Sequence, residues 1–342
     1  MTRLAIIADD LTGALDTAAP FAARGLRAVV AVSPDWLANA RAVGADVLAV
    51  STDSREIEPQ AARERVRRVV DQLPAAVPIV KKVDSRLKGN IEAELDAIAF
   101  EKALVVPAIP AFGRIVKDGM LAGFGIDTPI SVAKRLGNHA RRAIIPDTSS
   151  EKDIAAALHA YPDALAVGAR GLAEAMAGQM AENAAPPPDV SAHRIILLIG
   201  SRDPITLAQV EHVRRGHPDV DHIPAPGGHA ARSIDTARAV TVIQAQEAET
   251  SSDPQAVALR LAETIGNTPL EDALVLVTGG ATAQTVLEHL GIGVLEILGE
   301  ALPGLPIAQT KAFKLITKSG GFGAPDALLD IVRRAGEAKA GR

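Results

Sequence analysis

The chain has 342 residues, 48% of them hydrophobic and 2% aromatic, and a formal net charge of -5. An acidic balance with so few rings argues against a nucleic-acid partner, which calls for a basic face and stacking aromatics. There is no cysteine, which excludes disulfides, thiolate nucleophiles and cysteine metal sites. No apolar run is long enough for a signal peptide or a membrane span, so a cytoplasmic protein without a membrane partner is expected.

In chain order, residues 4–8 read as a short apolar strand, 9–14 as a turn, and 15–24 as a helix stopped by Gly25. Further strands are expected at 28–32 and 46–51. A helix is expected at 59–73, whose arginines share it with Glu64 and Asp71 and so form a solvated face. Residues 75–80 read as a buried strand running into the turn 81–90, Lys-Lys-Val-Asp-Ser-Arg-Leu-Lys-Gly-Asn, and 91–98 as a helix with Asn90 near its N-cap. That turn packs four cations, Lys81, Lys82, Arg86 and Lys88, beside one carboxylate, Asp84. Such a set is stable with an anion among the charges or with water screening them. A buried strand follows at 104–108.

Residues 184–189 contain three consecutive prolines and read as a stiff linker. The alternation then restarts, with strands expected at 194–199, 237–244, 273–277 and 313–317, and helices at 204–214, 254–265 and 283–290. Strands alternating with helices over short connections imply α/β architecture with largely parallel sheets. The expected organisation is two α/β domains, 1–188 and 189–342.

Three loops of the second half have phosphate-binding character. They are Gly200-Ser201-Arg202; Thr278-Gly279-Gly280-Ala281-Thr282; and Lys318-Ser319-Gly320-Gly321-Phe322-Gly323. Glycines let backbone amides approach an anion, and a helix N-terminus adds partial positive charge. None has Walker or dinucleotide-fingerprint spacing. The first half supplies the complementary set: carboxylates from Asp9, Asp10 and Asp84, cations from Arg55, Lys81, Lys82 and Arg86, and hydroxyls from Thr12, Ser51, Ser54 and Ser85. This mixture suits a small polyhydroxy acid. Phosphate loops in one half and carboxylates in the other suggest phosphoryl transfer, with Asp84, Asp9 or Asp10 as base. Asp9 and Asp10 also suit a cap for a helix beginning near Leu11.

Taken together, these motifs resemble the four-carbon acid sugar kinases, and the resemblance runs nearly end to end. Ile7-Ala8-Asp9-Asp10-Leu11-Thr12-Gly13-Ala14 is similar to that family's opening motif, Thr52-Asp53-Ser54-Arg55 to its second and the 81–90 turn to its third. Pro107-Ala108-Ile109-Pro110 with Gly113-Arg114 is similar to the fourth. The three glycine loops, with Thr206 and Gln209, are similar to its nucleotide-side motifs. The resemblance implies ATP-dependent phosphorylation of a small sugar acid such as threonate or erythronate, with Mg²⁺, in a cleft between two domains. It places the acid at Asp10, Arg55, Lys81, Lys82, Val83 and Asp84, and ATP at Ser201, Gly279, Gly280, Ala281, Thr282 and Gly320; Ser85 and Arg86 of the same turn and Gly321 of the same loop are further candidate contacts. A homodimer is a further expectation.

The chain departs from the family at Arg86 and Lys88, where Thr and Arg are common, and at Ala281, where an acidic residue is frequent. It is also shorter than usual. Ala281 motivates one alternative, a non-catalytic nucleotide- or acid-binding protein of the same fold. Another is an NAD-dependent oxidoreductase acting on sugar acids. The histidines at 212, 217, 222 and 229 lack the spacing of a zinc site.

Overall fold

The strand predictions place alternating apolar elements along both halves, and the computed structural model, which describes residues 2–248 and 253–337, contains them as two compact units, 1–185 and 186–342. In the first unit the elements run β1 (Leu4–Ala8), α1 (Leu11–Ala22), β2 (Ala28–Ala31), α2 (Leu37–Val43), β3 (Val47–Ser51), α3 (Pro59–Val70), β4 (Ile79–Lys82) and α4 (Ile91–Leu95). They continue with β5 (Ala103–Val106), β6 (Arg114–Lys117), β7 (Met120–Gly123), β8 (Ile126–Ser131), α5 (Val132–Leu136), β9 (Ala143–Ile144), α6 (Glu151–Ala160), β10 (Leu165–Gly168) and α7 (Arg170–Met180).

Seven of these strands pair in the order β2-β3-β1-β4-β10-β5-β9, all parallel. Strands β1, β3 and β5 are buried throughout; Ile6 and Ile7 have no exposure. Strands covered on both faces read as unbroken apolar runs, which is why β1 is plain in the sequence. Strands β6, β7 and β8 form a separate antiparallel sheet.

The second unit runs β11 (Arg194–Ile199), α8 (Pro204–Gly216), β12 (Asp221–Pro226), β13 (Val240–Gln246), α9 (Pro254–Gly266), β14 (Ala273–Thr278), α10 (Gly280–His289), β15 (Val294–Leu302), β16 (Leu305–Gln309), β17 (Lys314–Lys318) and α11 (Ala327–Glu337). Strands β12, β13, β11, β14 and β17 are parallel neighbours in that order, and β16 and β15 continue antiparallel from β17. Val210 and Val213 of α8 and Leu328, Ile331 and Val332 of α11 close one core with Ile195, Leu197, Leu274, Leu276 and Ile316 of the sheet.

Among the boundaries that differ from the main sequence expectation, three bear on site residues. Helix α1 begins at Leu11, because Asp10 caps it by accepting the Gly13 N–H at 2.8 Å. Strand β4 runs on to Lys82, so the first two lysines of the expected turn are strand residues. Helix α10 begins at Gly280, which puts the second glycine of its turn in the first helical position.

Candidate active site

Parallel strands present their carboxyl ends together, and in the first unit those ends carry Asp9 and Asp10 after β1, the 52–55 loop after β3 and the 83–90 turn after β4. Arg55 sits among all three carboxylates. Its Nε donates to Asp9 Oδ2 at 2.7 Å and its Nη2 to Asp9 Oδ1 at 3.1 Å. Its Nη1 lies 2.9 Å from Asp10 Oδ2 and 3.7 Å from Asp84 Oδ2. Gly89 makes room: a Cβ there would lie 3.1 Å from Arg55 Cγ, and its φ of +88° suits glycine. Burial alone would raise the Asp9 carboxyl, but Arg55, with Lys81 and Lys82 behind it, holds it below the usual carboxylate range. Burial opposes the charge of Arg55 too, and the three carboxylates outweigh it, so its guanidinium is raised.

The carboxylates differ in what remains open to a ligand. Asp9 is buried and clamped on Arg55 through both oxygens. Asp10 uses Oδ1 as the α1 cap and Oδ2 for the Thr12 hydroxyl, at 2.7 Å, and for Arg55. Asp84 accepts the Arg86 N–H at 2.9 Å and the Lys88 N–H at 3.3 Å through Oδ1, while its Oδ2 has only the longer contact to Arg55.

Alternation along β4 sends Lys81 and Lys82 to opposite faces of the sheet. Lys81 has no exposed surface. Its ammonium pairs with Glu94 of α4 at 3.0 Å and donates to the carbonyls of Lys82 and Ile7. Expected as a ligand contact, it lies beneath the site instead, because a cation with no water must be neutralised by a buried partner. Glu94 also accepts from Ser54, whose hydroxyl lies 2.7 Å from that of Thr52. The pair therefore holds the loop that presents Arg55. Lys82 faces α1, with Nζ 2.7 Å from the Val83 carbonyl and close to Gly13. Val83 is buried, Arg86 is exposed, and Ser51 ends β3 in the interior.

Ser85 accepts from Nη1 of Arg114 at 2.7 Å, and the rest of that guanidinium donates to the Phe124 carbonyl. Burial lowers the Arg114 pKa, Arg86 adds to the effect, and Asp84 offsets it. Arg114 was legible as part of a motif but not as the brace of the basic turn. Glu94 carried no signal, since an acid in a short amphipathic helix reads as solvated. Glu94→Ala is expected to cost about 3–5 kcal/mol in a urea melt by stranding Lys81, with Lys81→Met/Glu94→Leu recovering most of it.

In the second unit the three glycine loops leave β11, β14 and β17, which are adjacent: Ile199 pairs with Thr278, and Thr278 with Lys318. Sheet order thus joins loops that are separated in sequence. The Ser201 N–H donates to Thr278 Oγ1 at 3.2 Å, and the Gly279 N–H to the Lys318 carbonyl at 2.9 Å. A Cβ on Gly200 would collide with Thr282, and one on Gly320 with Ser201 Oγ and Asp203 Cβ. Gly279, with φ +95°, is the N-cap of α10, and no side chain caps that helix. The first-turn amides of Gly280, Ala281 and Thr282 are therefore not taken by a side-chain cap, an arrangement suited to an anion. Ala281 is exposed in that turn. Asp203 caps α8 by accepting the Ile205 N–H at 2.9 Å and stands beside Gly320 and Gly321.

Among the described residues no helix is long and apolar enough to cross a membrane.

Comparison with known proteins divides along the same line. The sugar-binding N-terminal domain family matches residues 4–134, and the nucleotide-binding C-terminal domain family matches residues 196–328. A D-threonate kinase of Cupriavidus necator is 28% identical over 400 residues, covering 94% of this chain and 95% of that protein. That alignment is longer than this chain, so the relative carries segments that this chain lacks. A D-erythronate kinase of Heliobacterium modesticaldum is 35% identical over 130 residues, covering 35% of this chain and 29% of that protein. A solved Haemophilus influenzae structure superposes with a TM-score of 0.69 at 20% identity, covering 98% of this chain and 99% of that one, and so shares the fold.

Proposed function

Because this chain belongs to the four-carbon acid sugar kinase family, we propose that it transfers the γ-phosphoryl group of ATP to a hydroxyl of a threonate- or erythronate-like acid at the loops just described. The kinase activity and the use of ATP follow from the family; the residue roles and the choice of acid are our reading. The observation that carries it is the division of labour between the two loop sets. One gathers carboxylates and cations around Arg55, and the other gathers backbone amides beside Asp203, with Glu247 held on Arg202 at the first loop.

In this reading the nucleotide phosphates lie on the amides of Gly280, Ala281 and Thr282, with Ser201, Gly320 and Gly321 beside them. Asp203 is the carboxylate at these loops that would hold Mg²⁺ together with the phosphates, a donor set that this ion commonly takes. The ion supplies neutralisation of the phosphate charge. Arg55 spends its donors on three carboxylates and Lys82 is buried on the Val83 carbonyl, so the exposed Arg86 is left for the carboxylate of the acid. Asp84 accepts the proton of the attacking hydroxyl. A bond forms from that oxygen to the γ-phosphorus, the bond to ADP breaks, and the phosphorylated acid, ADP and a proton result.

The test is ADP release from MgATP by the full chain, with a panel containing threonate, erythronate and 3-oxo-tetronate. Release that requires one of these acids is the expected result. Binding of an acid and ATP with no ADP formed from any panel member would favour a non-catalytic role instead.

A further inference from the structure

Lys318 ends β17 and leads into the Ser319–Gly320 loop, yet it is only 1% exposed and cannot itself reach a ligand. Its Nζ lies 3.0 Å from each of Thr206 Oγ1, the Ser319 carbonyl and the Gly320 carbonyl. Three N–H donors thus meet three acceptors, and none of the three is a carboxylate. Two of them are successive main-chain carbonyls. The peptides are trans, and in a trans peptide the C=O and the N–H point in opposite directions. Drawing the Ser319 and Gly320 carbonyls inward turns the N–H groups of Gly320 and Gly321 outward. No carbonyl among the described residues accepts from either amide. The Thr206 hydroxyl adds a second tether, donating to the Gly320 carbonyl at 2.7 Å.

The geometry points to Lys318 as the positioning residue of the nucleotide site: by fixing two successive peptide planes from behind, it aims the Gly320 and Gly321 amides at an ATP phosphate. This rests on the kinase reading of the same loops. In a Walker loop the lysine reaches the phosphate directly; here it works through the backbone. The tether needs the protonated amine, because a neutral one would turn a lone pair on one of three oxygens. Burial pushes the Lys318 ammonium down to about 8, with the charge of Asp203, the carboxylate facing it, in partial opposition. A positive charge behind the cradle and the amides in front of it then act together, and both weaken when the proton leaves.

The experiment is ATP binding by calorimetry, alongside steady-state kinetics, on the full chain, Lys318→Met and Thr206→Val. Lys318→Met is expected to raise Kd and KM for ATP about tenfold or more, the scale of one lost charge-assisted bond, with KM for the acid within about twofold. Thr206→Val keeps the charge and should fall between. In the unmodified chain the ATP Kd should climb as pH passes about 8, and Lys318→Met should lose that climb. A folded Lys318→Met that binds ATP as the parent does overturns the inference. So does a parental Kd that stays flat from about pH 7 to about 9.5, which decides the matter if the variant does not fold. A parent chain that binds no ATP overturns the kinase reading itself.

Discussion

Arg55→Met is expected to abolish measurable turnover and to cost about 3–5 kcal/mol of stability near neutral pH, the usual result of leaving a buried charge without its partner. The reason is the position of Asp9. Its carboxylate is buried, and both oxygens are satisfied by Arg55. In the parent chain the Asp9 pKa is lowered, so its contribution to stability is present above the unfolded carboxylate value of about 3.9 and is lost as pH falls through the lower folded value. Without Arg55 the same burial acts unopposed except by the lysines, and the Asp9 pKa moves up. The variant then gains stability relative to the parent as pH falls through that raised value. Urea melts of both proteins at about pH 8 and about pH 4.5 read this directly. A deficit that is equal at the two pH values would mean that Arg55 is not the counter-ion that keeps Asp9 charged.

Asp84→Asn is expected to lower kcat by about 10²–10⁴, the range that a positioned base supplies, and to leave KM for ATP unchanged. Asparagine can keep the hydrogen bonds from the Arg86 and Lys88 N–H groups, because its amide oxygen can take the place of Oδ1. The turn therefore survives while the proton acceptor is lost. Asp9 and Asp10 are poorer candidates for the role, since Arg55, Thr12 and the Gly13 N–H already occupy their oxygens. Stopped-flow and steady-state rates on a responsive acid provide the check. A loss below about tenfold would remove Asp84 from proton transfer and return the role to Asp10, whose Oδ2 contacts would then have to rearrange when the acid binds.

The legible parts of the chain were those where burial on two faces leaves an unbroken apolar run. Strands β1, β11 and β14 have this form, and the loops that follow them were found because they interrupt it. The first turn of α1 was open to two readings, because Thr12 and Gly13 favour turns until an N-cap commits them to a helix, and the capping reading of Asp10 is the one the structure bears out. Lys81 and Lys82 looked like loop residues because charge seldom enters a strand; a buried partner 13 residues onward in Glu94 reverses that expectation. Strands β6 and β7 were missed because they are short and only partly covered. The neighbourhood of the three glycine loops depends on sheet order, which no local pattern encodes.

The 81–90 segment has a sealed floor and an open rim. Lys81, Lys82, Val83 and Leu87 are inaccessible to solvent or nearly so, whereas Arg86, Lys88 and Gly89 face water. Exchanges at Arg86 and Lys88 leave the packing beneath untouched, so descendants of such a chain can drift toward new acids through two exposed cations, while Gly89 stays fixed by its contact with Arg55. Changes in the floor would collapse the scaffold before any new preference could be selected.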